Sequence, residues 1–120
     1  MQKHGRSIAE LLSDIVTWGE RIERFVGGKS LDDFLTDEIR QLAVAKCVEI
    51  IGEASSSILR LHSGFAAEHP ELDVVEAYRM RNRLAHGYDT IDWRIVWDTA
   101  TVYVPTLVAR VRTILSARDA

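Results

Sequence analysis

Apolar residues recur three and four positions apart along almost the whole chain, and no segment alternates with period two for long enough to read as a strand. That pattern confines the chain to helices packed on one another. From Ser7 to Val26 the apolar positions are Ile8, Leu11, Leu12, Ile15, Trp18, Ile22, Phe25 and Val26, with acids and arginines between them. Ser7 is placed to cap this helix, with Glu10 at the reciprocal position three residues on, and Gly27-Gly28 stops it. Ser30-Leu31-Asp32-Asp33 reads as a fresh helix start. A second apolar face runs from about Asp37 to Leu61, through Val44, Cys47, Val48, Ile51, Ala54 and Ile58. His62-Ser63-Gly64 ends it, and His69-Pro70 marks a turn, because a residue before proline is pushed out of helical space. A third helix is predicted from Leu72 to Ala85. The last, capped by Thr90 or Asp92, carries Trp93, Val96, Trp97, Ala100, Val104, Leu107, Val111 and Ile114, with a kink at Pro105. The expectation is one all-α domain over residues 1–120, a four-helix bundle with short connections.

Composition narrows the function classes. At 120 residues there is room for one real core, and a net charge of −3 gives no global basic field for nucleic acid, so any RNA contact must be a local patch. The single Cys47 excludes an intrachain disulfide and cannot alone make a zinc site; it reads as a small core residue. Trp18, Trp93 and Trp97, at helical spacing, are read as core first, with a subunit interface or a contact to a partner protein as the alternatives. No apolar run reaches membrane-spanning length and the amino terminus lacks a signal peptide's apolar stretch, so the expected compartment is the cytoplasm. His62 and His69 do not stand at metal-ligand spacing from a partner, and no metal site is expected.

The chemistry concentrates in Met80-Arg81-Asn82-Arg83-Leu84-Ala85-His86-Gly87-Tyr88. By helical rotation Arg81 shares a side with Val74, Ala77, Tyr78, Leu84 and Ala85, whereas Arg79 and Arg83 point away alongside Glu76. A guanidinium beside a core stripe is unfavourable unless it is paired or lines a wet cleft. His86 lies about 140° round an unbroken helix from Arg81. A helix end at Gly87, a residue suited to the left-handed C′ position, would let His86 and Tyr88 turn back towards it. An arginine-rich helix end is also an ordinary response to the helix dipole. In the second helix, Gly52 within a run of small residues predicts a close crossing of helices or subunits. Beside it Glu53 is either a partner for Arg81 or a solvated surface acid.

Arg81, four intervening residues, His86, one residue and Tyr88, with Asn82 directly after the arginine, resembles the signature of HEPN-domain proteins. It is closest to the HepT group of ribonuclease toxins, which pair with a minimal nucleotidyltransferase antitoxin. Glu49-Ile50-Ile51-Gly52-Glu53-Ala54, His69-Pro70 and the stretch Asp92 to Trp97 look like the same family. The resemblance implies a helical bundle, a homodimer, and RNA cleavage by the motif arginine and histidine with no metal and no cofactor. It also implies the toxin role in a type II/VII-like toxin–antitoxin pair. In that family AMP transferred from the antitoxin to the motif tyrosine, here Tyr88, blocks the cleft.

The residue types suit that chemistry. RNA carries its own nucleophile, the 2′-hydroxyl beside the scissile phosphate. Histidine titrates near neutrality, so His86 is assigned general acid/base work. Arginine stays charged and presents a planar fork, so Arg81 is assigned phosphate binding and transition-state stabilisation. Asn82 holds geometry, Tyr88 contacts substrate, and Arg79 and Arg83 are additional candidates for RNA contact. Two other readings stand beside the enzyme. One is a non-catalytic module that serves as partner and acceptor for a nucleotidyltransferase; the other is a plain helical oligomerisation domain.

Overall fold

The computed structural model describes residues 6–86 and 90–119, with Ala85 and His86 as backbone only. The helices are α1 (Ile8–Val26), α2 (Leu31–Leu35), α3 (Glu38–Leu61), α4 (Ser63–Glu68), α5 (Val74–His86), α6 (Trp93–Asp98) and α7 (Val104–Asp119). A 3₁₀ turn, Pro70–Leu72, precedes α5, and a π-helical segment, Thr99–Tyr103, joins α6 to α7. The described residues contain no strand. The four long elements are α1, α3, α5 and the run α6–π–α7. Helix α3 is the central one, packed most extensively against α5 and α1, while α1 also packs on α7.

Local chemistry sets the boundaries. The Ser7 hydroxyl accepts from the Glu10 amide (3.1 Å) and the Glu10 carboxylate accepts from the Ser7 amide (2.9 Å), a complete capping box. Ser30 and Asp33 repeat it at the start of α2. Asp37 caps α3 through the Arg40 amide (3.0 Å), and Arg40 reaches across to the Phe25 carbonyl (2.6 Å) near the end of α1. Gly28 takes φ +75°, the left-handed turn that follows α1. Asp92 is the cap of α6, accepting from the Arg94 amide at 3.0 Å.

The core gathers Leu11, Leu12, Ile15 and Ile22 from α1, Val44, Ile51 and Ile58 from α3, Leu84 from α5, and Leu107 and Val111 from α7, all buried. Removing such side chains from water contributes roughly 1.5–3 kcal/mol each. Phe34 anchors the short α2 beneath α6, with its ring edge-on to Trp93 (6.1 Å between centroids) and tilted against Trp97 (5.4 Å). Trp93 and Trp97 are only partly buried, and Trp18, under the Arg21 guanidinium at 4.1 Å, is too; all three pack against the core rather than lie within it. Cys47 is buried among apolar neighbours, and burial pushes its thiol above the ordinary thiol range.

Three details differ from the sequence reading. Ser63–Glu68 forms a helix, where a stop and a turn were expected; it buries none of its residues, so it leaves no apolar stripe to read. Helix α5 begins at Val74, not Leu72, because Asp73 adopts φ +51° and separates it from the 3₁₀ turn. That turn is held from α7 and the π segment. The Tyr103 hydroxyl donates to the Asp73 carbonyl (2.7 Å) and Arg110 donates to the Glu71 carbonyl (2.5 Å). Tyr78, placed with the greasy side of α5, is exposed: it stands at the edge of a stripe whose buried members are Val74, Ala77, Met80 and Leu84.

The irregularity expected at Pro105 takes the form of the π segment just before it. The Val104 amide donates to the Thr99 carbonyl, five residues back. Proline lacks the amide that would bond Thr101 in a regular helix.

Candidate active site at the crossing of α3 and α5

The site is built where α5 crosses α3 at Gly52. A Cβ on Gly52 would lie 2.1 Å from the Arg81 Cβ, 2.9 Å from its Cγ and 2.8 Å from the Ala77 carbonyl oxygen. Only glycine lets the two backbones approach this closely, so the Arg81 stem lies against α3. The Arg81 guanidinium then emerges beside the next residue, Glu53, and pairs with its carboxylate through Nη2. On the other side Nη1 donates to the Asn82 amide oxygen at 2.9 Å. The Nε atom is buried and has no acceptor among the described residues. The Arg81 side chain is 31% exposed and that of Glu53 50%, so the pair sits at a wet edge rather than inside the core.

Of the two readings of Glu53, the structure therefore has the pairing with Arg81. Asn82 joins the same constellation. Arg79 and Arg83 do not. Arg79 is exposed, with a long contact to Glu76 (3.9 Å), and Arg83 is exposed on the opposite flank, along a groove lined by Met80, Leu84, Ile91, Asp92 and Ile95. Both face away from Arg81, as helical rotation requires. Helix α5 runs unbroken to His86. The break expected at Gly87 and the candidate Tyr88 lie outside the described residues, as does the placement of the His86 ring.

The other described histidines have local partners. His62 Nε2 lies 2.9 Å from the Arg6 carbonyl oxygen. His69 packs on the Phe65 ring and holds the Glu71 carboxyl below the usual carboxylate range through a 2.9 Å contact. Among the described residues, no helix is long and apolar enough to cross a membrane.

The Glu53–Arg81 pair was visible in the sequence only as an option. Helical rotation gives the face on which each side chain starts, but whether the two helices bring those faces together depends on the Gly52 contact.

A constellation of arginine, asparagine and carboxylate on a helix crossing offers a charged planar donor, oriented from two sides, to an oxyanion. The chain as a whole is similar to known proteins. The family model described as "Ribonuclease HepT-like" matches residues 17–114. A probable ribonuclease HepT of Thermococcus cleftensis is 40% identical over 102 residues, covering 85% of this chain and 90% of that protein. A putative RNase of Caldanaerobacter subterraneus subsp. tengcongensis is 36% identical over 94 residues, 78% of this chain and 80% of that one. A putative RNase of Methanocaldococcus jannaschii is 28% identical over 102 residues, covering 85% of both. With a family match spanning most of its length and a 40% identical relative covered over 90% of that protein, the chain belongs to the ribonuclease HepT-like family.

Proposed function

We propose that the chain is a metal-independent endoribonuclease, the toxin of a toxin–antitoxin pair, that cleaves mRNA or tRNA with Arg81 and His86. The observation that carries this reading is the Arg81 guanidinium, fixed by Glu53 and Asn82 at a solvent-facing edge inside the family motif. The names of the relatives as ribonucleases support it.

In the proposed reaction the RNA 2′-oxygen bonds to phosphorus and the bond from phosphorus to the 5′-oxygen breaks. The 2′-hydroxyl proton passes to a base, and an acid returns a proton to the departing 5′-oxygen. The products are a 2′,3′-cyclic phosphate and a free 5′-hydroxyl. Arg81 stabilises the crowded anionic phosphorane, and His86 handles a proton near neutral pH. Asn82 keeps the guanidinium in plane with the phosphate oxygens.

One chain supplies one motif histidine, so a homodimer with two motifs around a shared cleft would furnish base and acid together. Large exposed apolar residues support a covered face here. By helical rotation Leu42 (50% exposed) lies on the Glu53 side of α3, with Ile39 (83%) a turn before it, and Tyr78 (36%) stands one turn before Asn82 on α5. A nucleotidyltransferase antitoxin would silence the enzyme by placing a bulky anionic nucleotide on Tyr88. The same exposed face also favours the second reading, a binding module that serves as acceptor for the nucleotidyltransferase with little nuclease activity.

Cleavage of RNA by the unmodified purified chain in EDTA tests the two. The enzyme reading expects cyclic-phosphate products from wild type and none from Arg81→Ala or His86→Ala, while partner binding persists in His86→Ala. A wild type shown by mass to be unmodified at Tyr88 and inactive on RNA would move the function to the binding module.

A further inference from the structure

We infer that Glu53 is the positioning residue for Arg81, setting the orientation in which its guanidinium meets a phosphate. This rests on the reading of Arg81 as the phosphate-binding group of a ribonuclease.

Several observations converge on Glu53. The Arg81 stem is pinned where it leaves α5, because its Cβ and Cγ occupy the space a Gly52 side chain would fill. Pinning the stem leaves the outer torsions of a long side chain free. Glu53 takes Nη2 and Asn82 takes Nη1, so the plane of the guanidinium is held at both ends. Each Nη nitrogen carries two hydrogens, so each keeps a second one for an incoming oxyanion. The carboxylate one turn earlier, Glu49, pairs with Lys46 at 3.1 Å and is the less available alternative. The buried Nε, without an acceptor among the described residues, makes satisfaction of the two Nη groups matter more.

An ordinary surface ion pair would contribute little to anything. What separates a positioning role from it is the sign of two effects. A carboxylate beside a phosphate site repels the substrate, so Glu53 should weaken ground-state RNA binding slightly. By fixing the guanidinium it should raise the rate of the chemical step. Its removal is therefore expected to lower kcat without raising KM, a split that a purely structural role would not produce.

The experiment compares the full-length wild type with Glu53→Ala, Glu53→Gln and Arg81→Ala. A single-stranded oligoribonucleotide carrying a fluorophore and a quencher reports cleavage, and ¹H–¹⁵N spectra report the arginine Nε–H groups. The wild type should show a slowly exchanging Nε–H signal that disappears in Arg81→Ala and is thereby told apart from that of Arg40, whose Nε donates to Asp37. In Glu53→Ala that signal should move to the common arginine position and kcat should fall about tenfold, with KM equal or lower and the melting temperature unchanged. Glu53→Gln, which keeps the acceptor oxygen but not the charge, should recover part of kcat. A Glu53→Ala protein that keeps both the protected signal and kcat overturns the inference, and so does one in which kcat and melting temperature fall together. If wild type and Arg81→Ala cleave alike, the ribonuclease reading of Arg81 fails instead. The Nε–H signal then decides the positioning by itself: lost in Glu53→Ala it stands, retained it falls.

Discussion

Two helix crossings in this molecule use the same residue for different ends. Where α1 meets α7, a Cβ on Gly19 would lie 2.3 Å from Val108 Cγ2, with its next neighbours at 3.5 and 3.7 Å. Where α3 meets α5, the Cβ of a substituted Gly52 would strike the Arg81 stem and the Ala77 carbonyl together. The first crossing is closed by one methyl of Val108, a side chain stiff at χ1 that can still move that methyl aside at a modest cost. The second is closed by backbone and by the root of an ion-paired arginine, neither of which can give way cheaply. One glycine serves packing, and the other serves packing and holds a charge in place.

The comparison can be broken at several strengths. The largest expected effect is on activity. Arg81→Ala should lower RNA cleavage by about 10²–10³-fold, the usual loss for a transition-state donor, with little change in the melting curve; a tenfold loss or less in a cleavage assay would remove Arg81 from that role. Next comes Gly52→Ala, which should destabilise by about 2 kcal/mol or more in urea unfolding, since overpacking against backbone outweighs the roughly 1 kcal/mol that alanine gains over glycine within a helix. Gly19→Ala should fall between neutral and about 1 kcal/mol destabilising, and Val108→Ala in the same chain should reduce its penalty by opening space. Equal penalties at the two glycines would erase the distinction. Smaller again, Ser7→Ala should lose about 1 kcal/mol with the α1 cap and leave cleavage untouched.

The helix caps should carry a pH dependence of stability. Backbone amides at Ser7, Ser30 and Arg40 donate to the carboxylates of Glu10, Asp33 and Asp37 and hold all three below their ordinary values of 4.5, 3.8 and 3.8. A lowered carboxyl value in the folded state gives stability that is complete above the unfolded value and is lost as pH falls through the folded one. The acid limb of a pH–stability curve should therefore begin below about pH 4.5 and become shallower in the Ser7→Ala, Ser30→Ala pair.

Much of this architecture is legible in the order of residues. Ser7 with Glu10, Ser30 before paired aspartates, and Asp37 mark helix starts because short polar side chains satisfy free amides at fixed offsets. Gly52 announces a close approach. Helix α4 was not legible, since Ser63–Glu68 lacks both a side-chain cap and a buried face. Neither was the left-handed Asp73, whose conformation is fixed by a tyrosine hydroxyl thirty residues away in sequence. Tyr103 is largely enclosed, and burial, with the nearby Asp73 charge, pushes its own ionisation well above the ordinary phenol range, so this tie stays a neutral hydrogen bond at any physiological pH. In the site, rotation placed Arg81 near the core and turned Arg79 and Arg83 away. It could not decide whether Glu53 reached the guanidinium, because that depends on how close two helices lie.

The π segment at Thr99–Tyr103 also has a meaning for chain length. A π turn holds about one residue more than an α turn, and each residue of an α-helix carries about 100° of rotation. Val96 before it, Ala100 within it, and Val104, Leu107 and Val111 after it all face the core despite that surplus residue. Deleting one exposed position within the segment, such as Val102, would let the helix close as a regular α turn and leave the stripe of α7 facing α1, whereas closing it regularly with every residue kept would swing that stripe by about a quarter turn. The π segment thus stores one residue of slack: this helix should accept a single deletion there better than anywhere else along α6 or α7, and a further insertion poorly.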